Sequence, residues 1–204
     1  MSPESVNERE VFISYRRLDN DPPPDDPNDR NGFVDYLLRQ VKYDLIQLGV
    51  TNAIFWQDRS KIAPADDFPD EISNALNNAD LFIAIVSKNY ITSTWCAKEL
   101  NTMTARIRVL GAPAKEHRIF RVDKHKVLDD EVPDPLRRIE SVRFYREDRY
   151  ADRVDDYFWR GKVVFNDEYE GAVKKLAVGI SNRLDALGIA MRKPKGSKVE
   201  SCIR

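Results

Sequence analysis

Residues 81–86, Leu-Phe-Ile-Ala-Ile-Val, form an unbroken apolar run that stops at Ser87 and gives way at once to a helical pattern. Six apolar side chains in succession do not suit a sheet with one wet face. They call for a strand covered on both faces, as in a parallel sheet flanked by helices. The pattern from about Ser93 to Leu110, ended by Gly111 and Pro113, reads as the helix that follows. On it Trp95 and Glu99 stand four residues apart and share a face. An aromatic beside a carboxylate, just past a strand's carboxyl end, is where an open α/β sheet keeps its chemistry.

The rest of the chain repeats this alternation. Val11–Tyr15 is a short strand, followed by a stiff acidic, Pro-rich loop over 19–29 that suits neither a helix nor a central strand. Phe33, Leu37, Val41, Leu45 and Leu48 recur at helical spacing as an inner face, and Gly49 closes that helix. Ala53–Trp56 is a second strand. After a polar loop, Asp66 or Asp67 caps a helix with Phe68, Ile72, Leu76 and Ala79 inward. Residues 118–122 and 142–145 read as fourth and fifth strands. The last helix spans about 168–187, with Tyr169, Val173, Leu176, Ile180, Leu184 and Leu187 inward and Gly188 as its stop. The alternation predicts right-handed βαβ units and a parallel sheet, and five such strands fit a flavodoxin-like three-layer α/β fold with a central five-stranded parallel sheet in the order 2-1-3-4-5. In that order strands one and three are neighbours whose connections run in opposite directions. The crevice at this switch point lies between the 14–17 and 87–90 strand ends.

Composition narrows the functional classes. With 42% hydrophobic and 33% charged residues the chain is globular. A net charge of −1 supplies no basic field for nucleic acid. No signal sequence opens the chain, and no apolar run approaches the ~20 residues of a membrane span, so a cytoplasmic protein with no membrane contact is expected. Two cysteines, Cys96 and Cys202, and two histidines, His117 and His125, give neither a disulfide framework nor metal-site spacing, so no metal is expected. There is no Gly-rich phosphate cradle, which argues against dehydrogenase or nucleoside triphosphatase chemistry. Cys96 has no histidine in the local sequence to activate it and reads as a small buried hydrophobe.

Val11-Phe-Ile-Ser-Tyr-Arg-Arg17, Phe55-Trp-Gln-Asp58 with Ile62-Ala-Pro-Ala-Asp-Asp-Phe68, and Ser87–Leu100 with Trp95-Cys-Ala-Lys-Glu99 occur in order and at suitable spacing. On these boxes the chain resembles the Toll/interleukin-1 receptor (TIR) domain family, and in particular its prokaryotic-type NAD-cleaving members. The resemblance covers about residues 10–122 and, less closely, 142–187. It implies a single TIR domain over 1–190, with an insertion at about 145–167, then a basic flexible tail over 191–204. Three features depart from the family pattern. Ala65 stands where the BB loop often has Gly after its Pro, the loop over 20–29 is long, and 145–167 is additional. Tyr157, Phe158 and Trp159 in that insertion either make an interface or fold back on their own domain, the plainer reading.

The resemblance implies cleavage of the nicotinamide–ribose bond of NAD+, as substrate rather than cofactor, giving ADP-ribose or a cyclic isomer. Nicotinamide leaves a cationic ring as a neutral molecule and needs no general acid. The ribose needs stabilisation of developing positive charge, which one carboxylate can supply. Glu99 is the catalytic candidate, the alternative being a solvated helix carboxylate. Trp95 either walls a pocket or packs against a helix. Tyr15 can stack on a base or on nicotinamide. Arg16 and Arg17 either meet a diphosphate or pair with the acidic loop. Asp58 opens the BB loop, which in the family contacts a neighbouring domain and closes the pocket. Ser87 lies beside the crevice or merely ends the strand. Further implications are self-association through TIR–TIR contacts, a role in antiphage defence, and an effector that senses a nucleotide product. The competing readings are a non-enzymatic TIR adaptor and, more distantly, a deoxyribosyltransferase-like N-glycosidase.

Overall fold

The structure is a computed structural model that describes residues 8–21, 32–57, 70–110, 118–148, 153–159 and 162–187. In chain order the sheet and its helices are β1 (Arg9–Ser14), α1 (Phe33–Gln47), β2 (Ala53–Gln57), α2 (Asp70–Asn78), β3 (Leu81–Val86), the one-turn helix α3 (Lys88–Ile91), α4 (Thr94–Leu110), β4 (Ile119–Asp123), the short α5 (Asp134–Arg137) and β5 (Ser141–Arg143). Four short strands follow, β6 (Tyr145–Asp148), β7 (Arg153–Asp156), β8 (Phe158–Trp159) and β9 (Lys162–Val163), and then α6 (Asn166–Ala186). The five long-range strands pair in parallel in the order β2-β1-β3-β4-β5, the predicted fold class and topology.

Strand alternation divides the core into two layers. Val11, Ile13, Leu81, Ile83 and Ile85 face the layer filled by α1 and α6. Phe12, Phe82, Ala84 and Val86 face the layer filled by α2 and α4. All six residues of β3 are buried, which is why its sequence shows no alternation. On the second face Phe12 lies between Trp56 and Phe82, with ring centroids 4.7 and 5.6 Å away. Burying side chains of this size contributes about 1.5–3 kcal/mol each.

Helix α1 ends as its sequence signals. Gly49 has φ +86°, and the bonds Val50 N–H to Leu45 O and Gly49 N–H to Ile46 O close the terminus. Leu48 is a correction: it keeps helical phase but stands at the cap, past the last buried turn, and is 45% exposed. Ile72, Leu76 and Ala79 are buried as expected, whereas Asp66, Asp67 and Phe68 lie outside the described residues.

The segment expected as an insertion forms two antiparallel hairpins, β6–β7 and β8–β9. Phe158 packs against Phe33 and Tyr36, at 5.7 and 5.5 Å. The Arg146 guanidinium sits 3.8 Å from the Phe165 ring and pairs with Asp155 and Glu168. His125 Nδ1 lies 3.0 Å from Asp156, tying β7 to the loop after β4. These contacts fold the hairpins back onto α1, α6 and the loop after β4. The tail over 191–204 lies outside the described residues.

Candidate active site

The carboxyl ends of β1 and β3 converge on two buried carboxylates. Between β3 and α4 the chain makes two capped turns. Ser87 caps α3, accepting Tyr90 N–H on Oγ at 3.0 Å, and Ser93 accepts Cys96 N–H on Oγ at 3.3 Å at the start of α4. The sequence pattern starts the helix at about Ser93 and shows no α3, because a single capped turn is too short to show periodicity. This two-step entry points the first turns of α4 back over the sheet. It leaves Cys96, Glu99 and Leu100 buried.

Glu99 is only 6% exposed, so it is not a solvated helix carboxylate. Its Oε2 accepts a hydrogen bond from Ser14 Oγ at 2.5 Å, from the last residue of β1. The Tyr90 hydroxyl is 3.3 Å from the same Ser14 Oγ. Burial raises the Tyr90 phenol well above its ordinary pKa, and the nearby Cys96 and Glu99 add to the rise. Burial, then Glu99, pushes the Cys96 thiol up to about 12, so the thiol is protonated and inert as a nucleophile.

The second carboxylate is Asp19, 2% exposed, in a 3₁₀ turn over Arg17–Asp19. Ser87 Oγ donates to its Oδ2 at 2.5 Å and Asn89 Nδ2 to its Oδ1 at 3.1 Å. Lys124, just past β4, donates to its backbone oxygen at 2.9 Å and lies 3.4 Å from Oδ1. The sequence places Asp19 at the start of the acidic loop that is one of two candidate partners for Arg16 and Arg17. It is instead the buried fastening of that loop to β3 and β4. Next to it, Asn20 bonds Asp35 through its side-chain oxygen and nitrogen, both at 3.0 Å, at the start of α1.

The segment between these two fastenings carries three of the expected substrate-binding residues. Tyr15, Arg16 and Arg17 are each half-buried. Tyr15 packs on the α1/α6 layer, and Arg16 is close enough to lower the Cys96 pKa electrostatically. Trp95 is half-buried against the α2/α4 layer, with the Lys98 ammonium 5.1 Å from its ring centroid. Ser87 both ends the strand and lies in the crevice, bonded to Asp19. Asp58 lies outside the described residues. The structure thus gathers the carboxyl ends of β1 and β3, Glu99 and Trp95 at one edge of the sheet.

Sequence reasoning missed the roles of Ser14, Asp19, Tyr90 and Lys124. A polar residue at the end of each apolar strand, Ser14, Ser87 and Lys124, was the signal available. Cavities lie at two places among the described residues, neither of them lined by Glu99. One of about 510 Å³, between Lys88, Asn89, His125 and Val154, is next to the Asp19 fastening. The other, of about 630 Å³, lies along β5 and α6.

The fold and this edge define a flavodoxin-like α/β domain with a buried carboxylate at its switch point. A TIR-domain family model matches residues 11–157, and the chain belongs to the TIR-domain family. Toll-like receptor 4 of Pinctada imbricata is 30% identical over 97 residues, which cover 48% of this chain and 11% of that receptor. The TIR domain of the Toll-related receptor TRR-2 from Hydra magnipapillata is similar at 17% identity, 66% of this chain, 82% of that chain and a TM-score of 0.39. The TIR domains of the activated Roq1 resistosome recognising the pathogen effector XopQ give 17%, 84%, 84% and 0.38. A metazoan TIR-STING receptor from C. gigas in complex with 2′,3′-cGAMP gives 16%, 86%, 44% and 0.41. Among the described residues no helix is long and apolar enough to cross a membrane.

Proposed function

We propose that this TIR domain cleaves NAD+ between nicotinamide and ribose, releasing nicotinamide and ADP-ribose or a cyclic isomer of it. The observation that carries the reading is the placement of Glu99: a buried carboxylate, fastened by Ser14, at the switch point of the sheet. Bond breaking builds positive charge on the ribose as neutral nicotinamide departs. A fixed carboxylate in a site with little water stabilises that charge far better than an exposed one. Tyr15 and Trp95 keep part of their rings exposed to stack on nicotinamide or on a base. Arg16 and Arg17 offer paired donors to the diphosphate. Ser87 holds the adjoining loop through Asp19, and Asp58 is assigned to the BB loop that closes the pocket. Attack by water gives ADP-ribose, and attack by a hydroxyl of the substrate gives a cyclic product.

Self-association completes the site in this reading. The nucleotide product, or the loss of NAD+, then serves antiphage defence in the cytoplasm, with an effector sensing the product where one is made. The test is to incubate the concentrated protein with NAD+ and separate the products by chromatography, with Glu99→Ala as control. Nicotinamide release by the wild type and none by a folded Glu99→Ala is the expected result. Equal release by both would overturn the assignment of Glu99.

A further inference from the structure

We propose that Ser14 is a positioning residue for Glu99: its hydroxyl fixes which way the carboxylate faces, and Tyr90 fixes the hydroxyl. The inference rests on the reading of Glu99 as the working carboxylate. The three residues come from three elements, β1, α3 and α4, with 76 and 85 residues separating Ser14 from Tyr90 and from Glu99. Ser14 is fully buried, and Tyr90 is 2% exposed.

Proton counting orders the chain. A serine hydroxyl has one proton to give, and an ionised carboxylate only accepts. The Ser14 proton therefore goes to Glu99 Oε2, 2.5 Å away, and the Tyr90 proton goes to Ser14 Oγ, 3.3 Å away. A phenol kept protonated by burial suits that donor role. The backbone holding Ser14 is equally fixed: it is the last ladder residue of β1, opposite Ala84 of the fully buried β3. Rigid strand positions hold a reacting group more accurately than loops do.

The charged form of Glu99 has opposing influences around it. Burial disfavours it, and the Ser14 bond favours it. Among the described residues, the titratable groups that Glu99 acts on include the Tyr90 phenol on α3 and the Cys96 thiol on α4, with Arg16 and Asp19 acting on Cys96 from beyond β1. The charged residues of β1, Arg9 and Glu10, stand at its other end, and α2 brings buried Ile72, Ala75 and Leu76 with Asp70 and Glu71 in its first turn. Ser14 thus gives the Glu99 carboxylate a hydrogen bond of its own, on Oε2.

The experiment compares wild type with Ser14→Ala, Ser14→Thr and Tyr90→Phe, each checked for cooperative melting. Ser14→Cys replaces Ser14→Ala if the alanine variant does not fold. Nicotinamide release gives kcat, KM and the pH profile, and ¹³C-carboxyl NMR follows the titration of Glu99, assigned with Glu99→Gln. The account expects Ser14→Ala to lower kcat about tenfold or more with KM little changed. It also expects the Glu99 midpoint to rise by about one pH unit. Ser14→Thr restores both, and Tyr90→Phe moves both in the same direction by less. An unchanged Glu99 midpoint in folded Ser14→Ala overturns the proposal, whatever the turnover. A raised midpoint in a protein that never releases nicotinamide upholds the Ser14–Glu99 link and rejects NAD+ cleavage.

Discussion

Replacing Lys124 by Met removes one charge from the Asp19 fastening while keeping most of the side chain's length. The Asp19 and Lys124 side chains are 1% and 14% exposed, so solvent does little to compensate. Removing one partner of a buried pair costs about 3–5 kcal/mol, because the other charge stays buried. Here Ser87 and Asn89 still donate to the Asp19 carboxylate, which favours the lower end, about 3 kcal/mol. Lys124 also holds the Asp19 backbone oxygen and lies 5.6 Å from the Phe33 ring centroid. For a chain of this length each kcal/mol shifts the melting temperature by about 2–4 °C, so a fall of about 6–12 °C is expected. Calorimetric or circular-dichroism melts at two salt concentrations measure it. Because the pair is buried, added salt should leave the difference nearly unchanged. Combining Lys124→Met with Asp19→Asn should cost clearly less than the sum of the single changes, since each removes the other's partner. A fall of under about 2 °C, or strict additivity, would refute the view that this pair fastens the first loop.

Three further outcomes concern Cys96 and Gly32. In a Cys202→Ser background, iodoacetamide at pH 8 should leave native Cys96 unlabelled and modify it fully after denaturation, by mass spectrometry. Its thiol pKa is raised from 9.0 to about 12, so the stability it contributes is present below about pH 9 and is lost as pH rises toward 12. The stability of Cys96→Ala should therefore vary less over that window. Gly32→Ala should melt well below wild type, with a cost of about 3 kcal/mol or more. A Cβ at Gly32 would lie 1.8 Å from the Asn20 carbonyl oxygen, where the first loop meets the start of α1.

The sheet was legible because its signals are local. The unbroken apolar run of β3 demanded two covered faces, and the 3.6-residue spacing of α1 and α6 supplied the covers. The alternation of elements then gave a parallel sheet, which the flavodoxin-like strand order fitted. The site was only half legible. Glu99 and Trp95 announce themselves by spacing on one helix, but the hydrogen bond that Glu99 accepts comes from Ser14, 85 residues away. Asp19 looked like one more acid in an acidic loop, since its cation lies 105 residues further on. The two hairpins escaped notice because strands of two to four residues are too short for a period of two to register. Leu48 misled because helical phase continues past the point where burial stops.

Glu99-dependent release of nicotinamide tests the central claim most directly. Wild type and Glu99→Gln, which keeps the shape and a hydrogen-bond acceptor but removes the charge, would be given NAD+ at high protein concentration and again when clustered on a scaffold. The account predicts steady release from the wild type, greater when clustered, and at least about 100-fold less from Glu99→Gln. Release undiminished in Glu99→Gln, or none from the clustered wild type, would contradict it.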